Sequence, residues 1–216
     1  MAQPVTPSKK FWILLPAIGC VLFIILYVIA AILYPGGSEG DKTATGYNWT
    51  KNYWCNLLYD KAINGKINTA KPVAVVAMVI LCISLSAFWI LFAATVQIKK
   101  YQRSVIQIAG TLSMITAFLL LTKVDHDIAV NTSSFFGAIA TIGTIAALYK
   151  LRWKILFLFG LFNVTLIALN NLLYHSAKMT YLPIVQKVSF LSFLIWFCLI
   201  DLKLFKANRF NASHPN

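Results

Sequence analysis

The stretch FWILLPAIGCVLFIILYVIAAILY, Phe11 to Tyr34, runs for 24 residues without a charge. At a helical rise of ~1.5 Å per residue it is long enough to cross a hydrocarbon core of ~30 Å. Lys9 and Lys10 precede it as they would in a secretory leader, but the run is too long for one and no A-x-A site comes before Tyr34. It reads as an uncleaved first span that tolerates Pro16 near one end. Five further apolar runs follow: Pro72 to Val96, Val105 to Thr122, Ile128 to Tyr149, Trp153 to Leu173 and Leu182 to Phe205. Hydrophobic residues make up 59% of the 216 and charged residues 12%, which leaves little room for a soluble domain. The expected fold is all-α, a polytopic integral membrane protein forming one six-transmembrane-helix bundle over residues 1–216. No internal repeat stands out.

Six spans place both termini on one side. Lys9, Lys10, Lys99, Lys100, Arg103, Lys150, Arg152, Lys154, Lys203, Lys206 and Arg209 collect there, eleven of the nineteen basic residues. The positive-inside rule makes that side cytoplasmic, in a multi-pass protein of the cell (plasma) membrane. The other side carries eight Lys and no Arg, together with Glu39, Asp41, Asp60, Asp125 and Asp127; Asp201 alone lies near the inside. The net charge of +13 sits in short loops beside apolar spans and forms no interleaved patch, so no nucleic-acid partner is expected. The lipid bilayer is the expected partner, with anionic headgroups as the counter-charge. Cys20, Cys82 and Cys198 fall within spans and only Cys55 in the outer segment, so a disulfide framework and a C-x-x-C oxidoreductase are both excluded.

The outer segment, residues 35–71, leaves the first span through Pro35-Gly36-Gly37 and is expected to begin as an irregular loop. From Trp49 to Ile63, Trp54, Leu57, Leu58 and Ala62 recur at helical spacing, while Asn52, Asn56 and Asp60 repeat every four residues on another face. The spacing predicts a short helix at the membrane interface, ended by Asn64-Gly65. Trp49, Tyr53 and Trp54 suit an aromatic belt. The Asn52, Asn56, Asp60 ridge is either a solvated face or a lid turned toward the bundle.

The Tyr34-Pro35-Gly36-Gly37 exit, the WTKNYWCNLL segment, the INGKIN turn and the six-span layout resemble bacterial membrane proteins of a domain-of-unknown-function family, number 998. The resemblance extends over nearly the whole chain. Such proteins often carry an acidic residue where this chain has Asn56. The family implies a six-span fold and supplies no activity.

Between the third and fourth spans stands TKVDHDIAVNTSS, Thr122 to Ser134. Asp125 or Asp127 is expected to cap the fourth helix, accepting bonds from its free N–H groups and complementing its dipole. A sharper reading takes Asp127, Asn131, Ser134 and Thr141 as a polar stripe entering the bundle from its outer mouth. Asn170, Asn171, Tyr174 and His175 end the fifth span, and Pro183, Gln186 and Lys187 begin the sixth. The candidate ligand-binding residues are therefore Asn52, Asn56, Asp60, Asp125, His126, Asp127, Asn131, Asn171, His175, Gln186 and Lys187. Lys123, Lys178 and Lys187 near that mouth suit a phosphate or carboxylate.

Three function classes follow. The first is non-catalytic binding of a lipid headgroup or small molecule at an extracytoplasmic polar pocket, or service as a subunit of a membrane complex. The second is a metal-assisted lipid hydrolase drawing on His126, Asp127, His175 and Asp60, a ligand set chemically acceptable for a catalytic zinc. No H-E-x-x-H or G-x-S-x-G motif supports it. The chain also lacks the three His and the Ser on successive helices that seven-span alkaline ceramidases would require; its third His is His214, in the tail. The third class is a transporter, for which a broken helix around a mid-membrane ionisable group is wanting. No motif names a cofactor. The deepest strongly polar residue, Asn163, is expected to bond across helices to Ser113 or Thr141, and Gly137, Thr141, Gly143, Thr144 and Ala147 suggest close helix packing.

Overall fold

The computed structural model describes residues 11–122, 124–175 and 180–213, the side chains of 175 and 208–213 excepted. Lys9, Lys10, Lys123, Lys178 and His214, and the side chains of His175 and Arg209, lie outside the described residues. The helices are α1 (Leu15–Leu33, entered through a 3-10 turn Phe11–Leu14), α2 (Lys71–Thr95), α3 (Lys100–Phe118, prolonged by a 3-10 turn Leu119–Leu121), α4 (His126–Lys150), α5 (Lys154–His175) and α6 (Leu182–Ser213). All six are long and apolar enough to cross a membrane. Their outward faces are apolar as well: Ile155 is 83% exposed and Ile32 76%. Water would not tolerate that much apolar surface, whereas a bilayer solvates it. The fold is all-α and multi-pass.

The segment between α1 and α2 departs from expectation twice. Its beginning is an ordered antiparallel hairpin, β1 (Gly36–Ser38) and β2 (Asp41–Thr45), rather than an irregular loop. Gly36 and Gly37 hold φ of 130° and 84°, and a Cβ at either would come within 2.4 Å of the Ala44 carbonyl oxygen or the Asn64 nitrogen. Only glycine fits that approach. The helix expected over Trp49 to Ile63 shrinks to one 3-10 turn, Trp54–Leu58. Asparagine side chains take the backbone N–H groups that a helix would use: Asn48 Oδ1 accepts from Thr50 and Lys51 at 3.0 and 3.1 Å, and Asn56 Oδ1 from Tyr53 at 2.7 Å. Such local bonds compete directly with helix formation.

The chain forms two compact units. The first comprises Met1–Val21, Val79–Leu161 and Ile195–Asn216, the second Leu22–Met78 and Phe162–Leu194. In the first, α3 and α4 pack closely through small residues. Thr141, Thr144 and Ala147 are buried, and a Cβ on Gly143 would meet Ile106 at 2.7 Å. Ser113 Oγ donates to the Ser133 carbonyl at 2.8 Å and Gln102 Nε2 to that of Gly143 at 3.1 Å. Phe88, Trp89, Phe92 and Phe197 form the aromatic core, with Gly110 leaving room for the Trp89 ring. Asp201, 1% exposed within α6, accepts a hydrogen bond from the Ala17 backbone N–H in the first turn of α1. The carboxyl thus has a backbone partner within the membrane-spanning part of the chain.

In the second unit Asn163 is fully buried, but its partner is neither Ser113 nor Thr141. Its Oδ1 accepts from Ser192 Oγ on α6 at 2.6 Å, while Ser113 is spent on the Ser133 carbonyl. Hydrogen bonds of this kind are worth about 1 kcal/mol between membrane helices. Asn163→Leu is therefore expected to lower the unfolding midpoint in detergent by a few degrees, and Ser192→Ala by a similar amount. A double variant no less stable than either single one would confirm that the two residues act as a pair.

Candidate functional site

Several buried polar groups of the second unit lie in the segment joining α1 to α2. Asn52 is fully buried: its Nδ2 donates to the Gly37 carbonyl at 2.8 Å and its Oδ1 accepts from the Asn48 N–H at 2.8 Å. Asn56, also buried, lies within 3.4 Å of Asn52 Nδ2. Asn68 closes the segment by donating to the Asn56, Leu57 and Tyr59 carbonyls at 3.1, 3.3 and 2.9 Å. Tyr34 Oη accepts from the Ile63 N–H at 3.0 Å. Apart from the Asn52–Asn56 contact, each bond matches a backbone group that burial would otherwise leave unsatisfied.

Onto this frame comes Lys187 from the first turns of α6. It is 7% exposed, and its ammonium donates to the Asn52 and Pro183 carbonyls and stands 5.6 Å from the centre of the Tyr47 ring. Among the described residues no carboxylate lies within ion-pair distance of it. Three N–H donors thus meet two neutral acceptors and a ring face. Burying an ammonium costs several kcal/mol unless a counter-charge offsets it. The same low-polarity surroundings push the Tyr47 hydroxyl well above the ordinary tyrosine range, and Tyr34 and Tyr53 upward for the same reason.

Beside this polar layer lies an apolar cavity of about 90 Å³, walled by Ile24, Tyr27, Trp49, Trp54, Leu57 and Leu191 among others. The half-buried Trp54 ring packs against Phe23, Tyr27 and Phe190 at centroid distances of 5.1 to 5.9 Å. Tyr47, which carries the Lys187 ammonium on its face, contacts Trp49 at 5.1 Å. The buried cation and the cavity wall are therefore linked through two rings.

Asn52, Asn56 and Lys187 come together, but Asp60 leaves the ridge; it is exposed and paired with Lys71 at the start of α2, an ion pair of little worth. Without a continuous helix, a four-residue spacing no longer keeps these three side chains on one face. Gln186 is half-buried, and among the described residues its Oε1 atom has no partner. Asn171 donates to the Ile167 carbonyl of its own helix and is exposed. Asp125, His126, Asp127 and Asn131 belong to the first unit. There Asp125 is the N-cap of α4, accepting from Asp127 and Ile128 N–H groups at 3.0 and 3.1 Å, and His126 Nδ1 lies 3.2 Å from Asp127 Oδ1. The stripe expected to enter the bundle is exposed at Asp127, Asn131 and Ser134 and buried only at Thr141. Among the described residues no three His, Cys, Asp or Glu gather to hold a metal. Asp125→Asn should change stability by only a few tenths of a kcal/mol, since Asn caps nearly as well, whereas Asp125→Ala should cost about 1 kcal/mol. Thermal melts of the two variants check this directly.

Sequence reading missed Tyr47, Asn48 and Asn68. Asn68 had a signal, since a residue that accepts from the N–H two positions on is a preferred start to a helix, here α2. Comparison of the chain with protein-family models, with curated proteins and with solved structures finds no match.

Proposed function

We propose that the protein is a non-catalytic, multi-pass membrane protein that binds an amphiphilic lipid or small acid at the Lys187 layer. The observation that carries this reading is the buried Lys187 ammonium, which among the described residues has no carboxylate partner. A phosphate or carboxylate headgroup would supply the missing acceptor and counter-charge. The adjoining apolar cavity would take the first carbons of a chain. The asparagine frame orders the segment internally, and Lys187 itself ties that segment to α6.

The experiment is extraction of lipid and metal from protein purified in mild detergent, wild type against Lys187→Met. An acidic amphiphile retained by the wild type and lost by the variant is the expected result. A stoichiometric zinc would instead move the assignment to the metal-assisted lipid hydrolase. Identical lipid content in both proteins would sink the proposal.

We further infer that both termini and the Lys99, Lys100, Lys150 and Arg152 turns are cytoplasmic, on the count of basic residues, so that the 34–70 segment faces outward. A cysteine placed at Asp41 should react with an impermeant thiol reagent in intact cells, and one at Lys100 or Lys150 should stay shielded until the cells are opened. The reverse labelling pattern would invert the site to the inner face.

A further inference from the structure

The turn from α4 to α5 places Lys150, Arg152 and Lys154 within five residues. α4 ends in a Schellman arrangement: the Trp153 N–H donates to the Leu148 carbonyl and the Arg152 N–H to the Tyr149 carbonyl, both at 3.0 Å. The residue in the Arg152 position takes the left-handed conformation, and glycine is its usual occupant. Arg152 adopts it nonetheless, at φ 57°, a conformational cost glycine would not incur. What the chain gains at that position is a guanidinium.

An open cleft of about 640 Å³ lies at this turn, lined by Lys150, Arg152 and Lys154 and by Tyr149, Phe157 and Leu158. That volume is within the range of small-ligand sites. Among the described residues none of the three cations has a carboxylate within ion-pair distance, and the Lys150 ammonium is engaged only with Gln102 Oε1, at 3.0 Å. The turn joins two membrane-spanning helices, so it lies at headgroup depth. Around the cations the surface is apolar and open: Tyr149 is 69% exposed and Leu158 61%.

We propose that this cleft binds the phosphate of an anionic phospholipid, held by Lys150, Arg152 and Lys154, with Phe157 and Leu158 against the upper part of its chains. Three unopposed cations favour a headgroup of net negative charge over a zwitterionic one, whose own cation they would repel. Apolar walls beside them favour a lipid over a free anion. The cleft shares no residue with the Lys187 site, and its test is independent of that reading.

The full chain, delipidated in detergent, would be titrated with phosphatidylglycerol and with phosphatidylcholine of the same chains, and bound lipid counted by native mass spectrometry. The wild type should retain phosphatidylglycerol preferentially. Arg152→Gly should weaken that binding about fivefold, and Lys150→Gln with Arg152→Gly and Lys154→Gln roughly 100-fold, with phosphatidylcholine unaffected. Arg152→Gly should leave the lipid-free melting midpoint unchanged or raised, because it relieves the left-handed residue, so a loss of lipid there cannot be ascribed to misfolding. Should the triple variant fail to fold, the single variant carries the test. Equal retention of the two lipids, or unchanged phosphatidylglycerol binding in Arg152→Gly, overturns the proposal. Binding of millimolar inorganic phosphate without a preference for phosphatidylglycerol would assign a free anion to the cleft and overturn the lipid reading.

Discussion

Asn52→Leu should be the most destabilising single substitution in the 34–70 segment, costing about 2–5 kcal/mol. Leucine keeps the branched shape of asparagine but is larger, so lost hydrogen bonding and overpacking at this buried site act in the same direction. It strands the Gly37 carbonyl and the Asn48 N–H at a residue with no solvent exposure, and each unsatisfied buried group costs about 1–3 kcal/mol. At ~2–4 °C per kcal/mol for a chain of this size, the midpoint should fall by roughly 4–20 °C. Asn131→Leu provides the contrast: Asn131 is exposed on α4, and its replacement should stay within about 0.5 kcal/mol of wild type. If both variants melt with the wild type, the asparagine frame is not what holds the segment in place.

Lys187→Met should have the largest effect on ligand retention and a smaller one on stability. Methionine leaves the Asn52 and Pro183 carbonyls without their donor, but it also removes an ammonium whose burial has no described counter-charge. These two changes in stability oppose each other. No such cancellation applies to a bound anion, because removing one partner of a buried charge pair costs about 2–5 kcal/mol, at least about 30-fold in affinity. The measurement is the dissociation constant for whichever acidic amphiphile co-purifies, taken beside the unfolding midpoint of the lipid-free protein. Loss of binding with a near-normal midpoint supports an anion site. A collapse of the midpoint with binding intact would make Lys187 a strut between the segment and α6.

How far the sequence could be read depended on whether the signal was local. Runs such as Phe11 to Tyr34 cross a bilayer whatever they pack against, and α1 ends at Leu33, one residue short of the run. The Asp125 cap was legible because it involves only residues 125–128 of one turn. The helix over Trp49 to Ile63 was misread for a physical reason: its apolar spacing is real, but Asn48, Asn52 and Asn56 offer the backbone competing acceptors that outweigh one short amphipathic helix. Asn163 was rightly expected to bond across helices, yet to the wrong partner, since a buried amide declares its need for a partner without declaring which helix supplies it.

By itself, then, the sequence determined six spanning helices, their approximate ends, close helix packing at the small residues of α4, and a carboxylate cap on α4. All of these follow from hydrophobic length, residue size or contacts within one turn. The tertiary structure alone decided that Asn52 and Asn56 turn inward while Asp60 faces out, that Trp54 packs among Phe23, Tyr27 and Phe190, and that Lys187 reaches the Asn52 carbonyl 135 residues away in the chain. Such long-range contacts form only when the chain has closed its loops and buried polar groups must find whatever partner the packing brings near, and no local periodicity encodes that choice.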